Sequence, residues 1–412
     1  MQRTWKWVGA VALTAGCAQP APDVCVGLPG DLPVDWGHRP DGFDEGAFGA
    51  DLVARMAEAC IPAVSFAVVD GSGTLLEGAA GVVDVEEQRP VTARTPFMLA
   101  SASKAVVAVA VLMAEEDGLL DRHDPVDQHL PFDVGNHRLA NDLPITVNHL
   151  AAHASGIRDN WDQVLDDSYA PGDPDEALGP FLRNYLVPGG EHFHRRGNFH
   201  VWPAGREWMY SNVGAALAAH TVAEVRGERF ARYTEGAIFE PLGMEDSHWF
   251  LRDFADVEGV ARPHVVTDEG IASVEHYGFP TFPDGQLRAP ARDLAQVLRI
   301  AMGEGTVDGH PFVEAERARA LRTPAVDGLN DWYIRPYVAE QYFFWFGMEL
   351  GERWIIGHDG DDEGVTSEMF WDPETGVGVV VVASVGDGEM DGAVRETTAW
   401  LQEELFLLGE GR

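Results

Sequence analysis

Residues 101–113 read SASKAVVAVAVLM, a polar tetrad that runs straight into an apolar stretch. A helix that is apolar on every side belongs in the interior of a large protein, so this stretch predicts a central helix that opens at Ser101. Ser101 and Lys104 stand three positions apart, which places both side chains on one face of that helix. Lys104 is also the only lysine after residue 16, where every other basic side chain is arginine. An amine can lose its proton inside a protein whereas a guanidinium cannot, so the pair predicts a nucleophile beside a proton acceptor, in preference to a stray surface lysine.

The start of a helix suits a nucleophile that becomes negatively charged during a reaction. Free backbone N–H groups and the helix dipole favour negative charge in the first turn, where Ser101 lies. The apolar residues after Lys104 would remove water from its amine and so favour the neutral form. A neutral amine within reach of the serine hydroxyl is therefore predicted to act as its general base.

Segments rich in β-formers stand at both ends of the chain. The runs 63–69 and 74–83 are joined by the hairpin signal Asp70-Gly71-Ser72-Gly73, and a turn at 372–376 separates two of the later runs. These later runs are 342–350, 353–356, 366–371 and 377–382. An amphipathic helix is predicted at 47–59 and a closing helix at 393–408. The pattern predicts an α+β fold of the broader α/β class. In this prediction, both chain ends contribute to one antiparallel sheet, which is flanked by helices, and the middle of the chain forms a helical insert subdomain.

Two further motifs carry residue types that fit the same chemistry. Tyr210 and Asn212 occur in Met209-Tyr-Ser-Asn-Val213, where a phenol can relay a proton and an amide can orient both lysine and substrate. His358-Asp359-Gly360 directly follows a predicted strand, and a glycine there lets a substrate backbone approach the strand edge. Taken singly, each motif is more often structural than catalytic.

Together the three motifs resemble the serine β-lactamase and penicillin-binding-protein superfamily, in the branch with Ser-x-x-Lys, Tyr-x-Asn and Lys/His-x-Gly. They occur here in the order of that family, and the resemblance extends over residues 45 to 405. It includes flanking segments similar to those of the family at 97–100, 116–131, 145–156, 241–244 and 287–294. The resemblance implies the fold of class C β-lactamases and DD-peptidases.

The resemblance also implies a role for each residue. Ser101 would be the nucleophile that accepts the acyl group, and Lys104 and Tyr210 would share general-base and general-acid work. Asn212 would position the acyl group, and His358 would support the tyrosine electrostatically. The oxyanion hole would be the backbone N–H groups of Ser101 and Asp361. No acidic deacylation loop of the class A type is found, which argues against a class A β-lactamase.

The third motif departs from the family in a way that bears on the substrate. Asp359 takes the middle position, next to Gly360, and three more acids follow at 361–363. Four acids facing the cleft would repel a substrate carboxylate, so Asp359 and Gly360 are predicted to contact neutral esters, amides or substrates with a free amine. The alternative is that these acids are solvated and face away from the cleft. The expected activity is that of an esterase or peptidase on small or D-configured substrates. The alternatives are a D-Ala-D-Ala carboxypeptidase, a weak β-lactamase, or a sensor that is acylated without turnover.

The first residues predict export. Two basic residues precede an apolar run over 7–15, too short to span a bilayer. The sequence Leu13-Thr-Ala-Gly-Cys17 resembles a bacterial lipobox, which implies a lipid on Cys17 and a place in the cell envelope; an ordinary secretory signal is the alternative. Cys25 and Cys60 then remain to form a disulfide in an oxidising compartment, or Cys60 stays a free buried thiol. Residues 1–16 are therefore predicted as a signal peptide.

The rest of the chain divides into two segments. Residues 17–44, rich in proline and glycine, are predicted as a flexible tether. Residues 45–408 are predicted as a single hydrolase domain, with a sheet part over 45–98 and 275–408 and a helical part over 99–274.

Composition limits the partners. The 412 residues carry a formal net charge of −38, which repels nucleic acid and anionic membrane surfaces. The expected partner is a small-molecule or peptide substrate, with a membrane contacted only through the predicted lipid. No motif predicts a cofactor. The acidic run from Asp359 lacks the glutamate of a calcium loop, and His192, His194 and His200 are interpreted as a polar loop in preference to a metal site.

Overall fold

Both ends of the chain contribute to one antiparallel sheet in the computed structural model, which describes residues 25–140, 143–326, 328–329, 338–386 and 391–411. In chain order the strands are β1 Val34–Trp36, β2 Ala63–Asp70, β3 Gly73–Gly81, β4 Phe97–Met98, β5 Ala170–Pro171, β6 His264–Thr267, β7 Gly270–Ser273, β8 Tyr277–Gly278, β9 Arg288–Ala289, β10 Thr306–Val307, β11 His310–Pro311, β12 Glu340–Gln341, β13 Phe346–Leu350, β14 Arg353–Asp362, β15 Val365–Asp372 and β16 Val377–Ala383. Eight of them form the main sheet in the order β1-β3-β2-β16-β15-β14-β13-β12. The predicted sheet from both chain ends is confirmed.

Helices cover both faces of this sheet and form the insert between its two halves. They are α1 Glu45–Glu58, α2 Lys104–Glu116, α3 Val147–Ala151, α4 Asp166–Ser168, α5 Leu178–Leu186, α6 Asn212–Arg226, α7 Phe230–Thr234, α8 Glu240–Leu242, α9 Ala291–Met302, α10 Ala315–Ala318 and α11 Asp391–Gly409. Apolar residues of α1 and α11 pack with one face of the sheet. Those of α2, α6 and α9 pack with the other face. Side chains on opposite faces of β2 and β16 therefore enter different cores, as the two-residue period of a strand requires.

Helix α2 lies in the middle of the protein, as its sequence predicts. Ten of its residues are buried, Lys104 among them. A helix of this composition has no polar face to present to water, so packing on several sides is what stabilises it. The first turn of α2 is thereby held rigidly, and α6 and the sheet pack around it.

Part of the predicted tether is ordered. Within 17–44, residues 34–36 form edge strand β1, whose register with β3 runs from Val34↔Ala80 to Trp36↔Gly78. The Trp36 ring packs 5.7 Å from the Phe66 ring, and this aromatic contact draws the segment onto the sheet. An edge strand tolerates the neighbouring Pro33, which is why proline content misled the prediction. Residues 17–24 and the predicted signal peptide lie outside the described residues.

A disulfide joins the same segment to the end of α1. Cys25 and Cys60 are bonded, with their Cα atoms 5.1 Å apart. Of the two alternatives open from the sequence, the structure therefore has the pair rather than a free Cys60. Cys17, the predicted lipidation site, lies outside the described residues.

Candidate active site

Ser101 lies in a short 3₁₀ turn, Ala100–Ser103, and α2 begins only at Lys104. The sequence predicted that the helix would open at Ser101 itself. The difference arises at Ala100, which has a φ of +45°, a left-handed conformation that costs a non-glycine residue energy. Ser101 is partly exposed while Ala102 and Ser103 are buried, so this sharp turn presents the hydroxyl at the surface of a cleft.

The Lys104 amine is buried and surrounded by oxygen atoms. Its Nζ lies 2.9 Å from Ser101 Oγ, 2.7 Å from Asn212 Oδ1 and 2.5 Å from the carbonyl oxygen of Asp284. A neutral amine has two N–H groups and one lone pair. The amide and carbonyl oxygens can take the two N–H groups, which leaves the lone pair for the proton of the serine hydroxyl. The arrangement therefore suits Lys104 as a proton acceptor, and its charged form would be satisfied equally by three acceptors.

The Tyr210 ring lies near the amine, and the His358 ring lies near Tyr210. Lys104 Nζ is 5.0 Å from the centre of the Tyr210 ring, and this ring is 6.2 Å from that of His358. The Tyr210 ring also stacks on His153, with 4.1 Å between centres. The structure thus brings together all five side chains predicted from the three motifs, because α2, the loop before α6 and strand β14 meet at Ser101.

Asp159 fixes Asn212, and sequence reasoning missed it. The Asp159 carboxylate accepts hydrogen bonds from the backbone N–H groups of Asn212, at 2.7 Å, and Val213, at 3.1 Å. It also accepts one from the Ser211 hydroxyl, at 3.0 Å, and Ser211 caps α6. Burial raises the pKa of Asp159, while these hydrogen bonds oppose the increase. The residue lies far from the three motifs in sequence, and no local spacing identifies it.

Strand β14 passes so close to Ser101 that only glycine fits at position 360. A Cβ there would lie 2.4 Å from the carbonyl oxygen of Leu99 and from Ser367 Oγ, and 2.9 Å from the backbone nitrogen of Ser101. Ser367 on β15 also donates a hydrogen bond to the Leu99 carbonyl, at 2.6 Å. Strand β13 pairs with β14 only as far as Gly357. Within the described part of the chain, the following residues of β14 have no strand on that side, and this free edge lies beside the serine turn. The assignment of the oxyanion hole to the N–H groups of Ser101 and Asp361 remains a prediction.

The side chains of Asp359 and Asp361 face away from this cleft. Both alternate along β14 with His358 and Gly360, so they project from the opposite face of the sheet. Asp361 forms an ion pair with Arg395 of α11, at 2.6 Å. Asp359 lies opposite Glu368 of β15, where burial, aided by the charge of Asp359, raises the pKa of Glu368 to about 7. The prediction that the Asp359 carboxylate contacts substrate was therefore wrong, because strand alternation turns it toward α11.

Two of the three histidines weighed as metal ligands, His192 and His200, have other partners. His192 Nε2 lies 3.2 Å from Glu176, and the His200 ring stacks on Trp202. Within the described ranges, no group of three or more His, Cys, Asp or Glu residues could hold a metal ion. Nor does that part of the chain contain a helix with the length and apolarity needed to cross a bilayer.

Comparisons with known proteins identify the family to which the chain belongs. A family model described as Beta-lactamase matches residues 50–404. Penicillin-binding protein 4* of Bacillus subtilis is 28% identical over 195 residues, which are 44% of this chain and 37% of that protein. The chain spans less than two thirds of the length of the curated relatives it matches.

Solved structures show the same fold. D-amino acid amidase from Ochrobactrum anthropi, in complex with L-phenylalanine amide, has a TM-score of 0.66 and 22% identity, covering 86% of this chain and 95% of that one. A class C β-lactamase from Rhodobacter sphaeroides has a TM-score of 0.61 and 22% identity, covering 87% and 99%. The resemblance stated from the motifs is confirmed.

Proposed function

Because the chain belongs to the β-lactamase family, we propose that it is a serine hydrolase that forms an acyl-enzyme at Ser101 and releases it with water. The observation that carries this proposal is the position of Lys104 Nζ, 2.9 Å from Ser101 Oγ and 2.7 Å from Asn212 Oδ1 in a buried site. A surface lysine with only a structural role would not need this arrangement.

In the first half of the reaction, Ser101 Oγ attacks the substrate carbonyl carbon while its proton moves to Lys104 or Tyr210. The carbonyl oxygen becomes negatively charged and is stabilised by the N–H groups of Ser101 and Asp361. The bond to the leaving amine or alcohol then breaks, and the leaving group takes the proton from the same pair of residues. The product is an ester between the acyl group and Ser101.

In the second half, a water molecule repeats the attack. It gives its proton to the base, the ester bond to Ser101 breaks, and the hydroxyl of Ser101 regains a proton. Asn212 orients both the lysine and the acyl group, and Asp159 positions Asn212. Hydrolysis of one substrate bond by one water molecule is the net result.

The proposed substrates are esters, amides or peptides with small or D-configured acyl groups. A neighbouring structure is that of a D-amino acid amidase, which supports this class. The second candidate, a D-Ala-D-Ala carboxypeptidase or weak β-lactamase, is favoured by the similarity to a penicillin-binding protein.

The test is a side-by-side screen of p-nitrophenyl esters, D-amino acid amides, a D-Ala-D-Ala peptide and nitrocefin. The proposal expects multiple turnovers on an ester or amide and none with Ser101→Ala. A permanent adduct with every acyl donor would instead indicate a sensor, and rapid turnover of nitrocefin alone would favour the β-lactamase.

We also propose export to the cell envelope, with a lipid on Cys17. The Cys25–Cys60 disulfide supports an oxidising compartment, since such bonds are rare in the cytosol. Mass analysis of the mature N-terminus tests the proposal: a diacylglycerol adduct on Cys17 supports it, and an unmodified N-terminus contradicts it.

A further inference from the structure

His153 packs against the tyrosine of the second motif. Its ring lies 4.1 Å from the Tyr210 ring, with 28° between the two planes, and only 1% of the residue is exposed. The rings of Trp208 and Phe344 pack edge-on against the same imidazole, at 6.2 and 5.9 Å between centres. Because three rings enclose it in a close-packed interior, the imidazole has a fixed orientation against Tyr210.

The backbone on both sides of Tyr210 is hydrogen-bonded to the same histidine. The Met209 N–H donates to the His153 carbonyl oxygen, at 2.7 Å, and the Ser211 N–H donates to His153 Nδ1, at 3.2 Å. Residues 208–211 belong to neither a helix nor a strand, so no regular backbone pattern fixes the tyrosine in place. His153 thus holds both neighbours of Tyr210 through hydrogen bonds and Tyr210 itself through its ring.

The hydrogen bond from Ser211 also determines which nitrogen of the imidazole carries the proton. A backbone N–H can only donate, so His153 Nδ1 must present its lone pair and the ring proton must be on Nε2. A doubly protonated ring would lose this hydrogen bond and leave the buried Ser211 N–H without an acceptor. The geometry therefore requires a neutral imidazole beside the phenol.

The backbone conformation of His153 is one that normally favours glycine. Its φ is +52°, in the left-handed region. It follows the C-cap of α3: its N–H donates to the Leu150 carbonyl at 3.1 Å, and the N–H of Ala154 donates to the His149 carbonyl at 2.8 Å. This pair of hydrogen bonds is the Schellman motif, whose left-handed position is usually glycine because a side chain there is strained. A strained residue in place of glycine points to a use for its side chain, and the contacts with the tyrosine segment supply one.

We propose that His153 is a positioning residue for Tyr210 and affects the reaction only through the phenol. The inference rests on the proposed acyl-enzyme chemistry, in which Tyr210 shares proton transfer with Lys104. Proton transfer requires the two heavy atoms to be at hydrogen-bond distance, and a displacement of about 1 Å can lower the rate about 10²-fold. Without the imidazole, the phenol loses the ring on which it stacks and Ser211 loses its acceptor. The chemical step should therefore slow while substrate binding changes little.

Two substitutions remove different parts of the contact. His153→Asn offers an acceptor oxygen bonded to Cγ, as Nδ1 is, and asparagine tolerates a left-handed backbone, but the ring is lost. His153→Phe keeps a ring for stacking but leaves the Ser211 N–H without an acceptor. Each should lower kcat on an activated ester about tenfold to a hundredfold and change KM by less than about threefold. Gln88→Asn, at an exposed position with a φ of +55°, is the matched control and should keep wild-type kcat.

Repeating both substitutions in a Tyr210→Phe background separates positioning from a purely structural role. If His153 acts through the phenol, its replacement should lower kcat less than about threefold once the hydroxyl is gone, because residues that act as a unit are not additive. Equal losses in the two backgrounds, or single variants that keep wild-type kcat, would overturn the inference and leave the hydrolase standing.

The failure of the proposed function would look different. Wild-type protein that turns over no substrate, together with no fluorophosphonate labelling of Ser101, refutes that function itself. Thermal melting establishes which variants fold. The Asn variant carries the less strained backbone, so the comparison of backgrounds can be completed with it alone if the Phe variant does not fold.

Discussion

Replacing Gly360 by alanine tests the close approach of β14 to the serine turn. The added Cβ would lie 2.4 Å from the Leu99 carbonyl oxygen and 2.9 Å from the Ser101 nitrogen. A carbon normally stays about 3.3–3.6 Å from a carbonyl oxygen, so the strand or the turn must move by about 1 Å. Displacements of this size at a catalytic group can lower the rate about 10²-fold. Overpacking of this kind costs roughly 1–3 kcal/mol of folding stability.

The assay is kcat/KM on an activated ester, together with the free energy of unfolding from urea titration. Gly71→Ala is the matched control, because nothing lies within 4 Å of a Cβ at that hairpin position. We expect Gly360→Ala to lose about 10²-fold in kcat/KM while the control keeps wild-type activity. A Gly360→Ala protein within twofold of wild type would refute the reasoning that this glycine positions the strand beside Ser101.

Three other predictions follow from the same contacts. Lys104→Arg should lose nearly all ester hydrolysis although it keeps the charge, because a guanidinium cannot accept the serine proton. The measurement is kcat, and substantial activity in this variant would contradict the role of the amine. Asp159→Asn places an amide N–H₂ group against the N–H donors of Asn212 and α6. Thermal melting should therefore show a loss of roughly 1–3 kcal/mol in the free energy of unfolding, and kcat should fall. An unchanged kcat would show that Asp159 does not position Asn212. The raised pKa of Glu368 means that the folded state holds its proton up to about pH 7, so stability falls as the pH rises from about 4.5 to 7. Glu368→Gln should flatten this fall by up to about 1.4 kcal/mol per pH unit in urea titrations at several pH values, and parallel wild-type and variant curves would show that the carboxyl titrates normally.

The sequence was sufficient for residues whose chemistry depends on local spacing. Ser101 and Lys104 are three apart in an apolar helix, and Tyr210 and Asn212 flank the start of α6, so each pair could be read within one short segment. The hairpin of β2 and β3 was predicted for the same reason, since the turn at 70–73 is a local signal.

Residues that act through contacts distant in sequence were missed. Asp159 acts by capping a helix that begins 53 positions later, and Asp284 offers its backbone carbonyl, for which residue type carries no signal. The direction of Asp359 was wrong because the extent of β14 was underestimated: the predicted strand ended at 356, whereas the real one continues to Asp362 and imposes its alternation. Ordering of β1 was missed because it depends on Trp36 packing against Phe66 of another strand.

Covalent labelling of Ser101 tests the central claim most directly. The protein is incubated with a fluorophosphonate, and peptide mass mapping identifies the modified residue. The account predicts a single adduct on Ser101, no adduct in Ser101→Ala, and labelling slowed by about 10²-fold or more in Lys104→Arg. An adduct on a different serine, or wild-type labelling of Lys104→Arg, would contradict it.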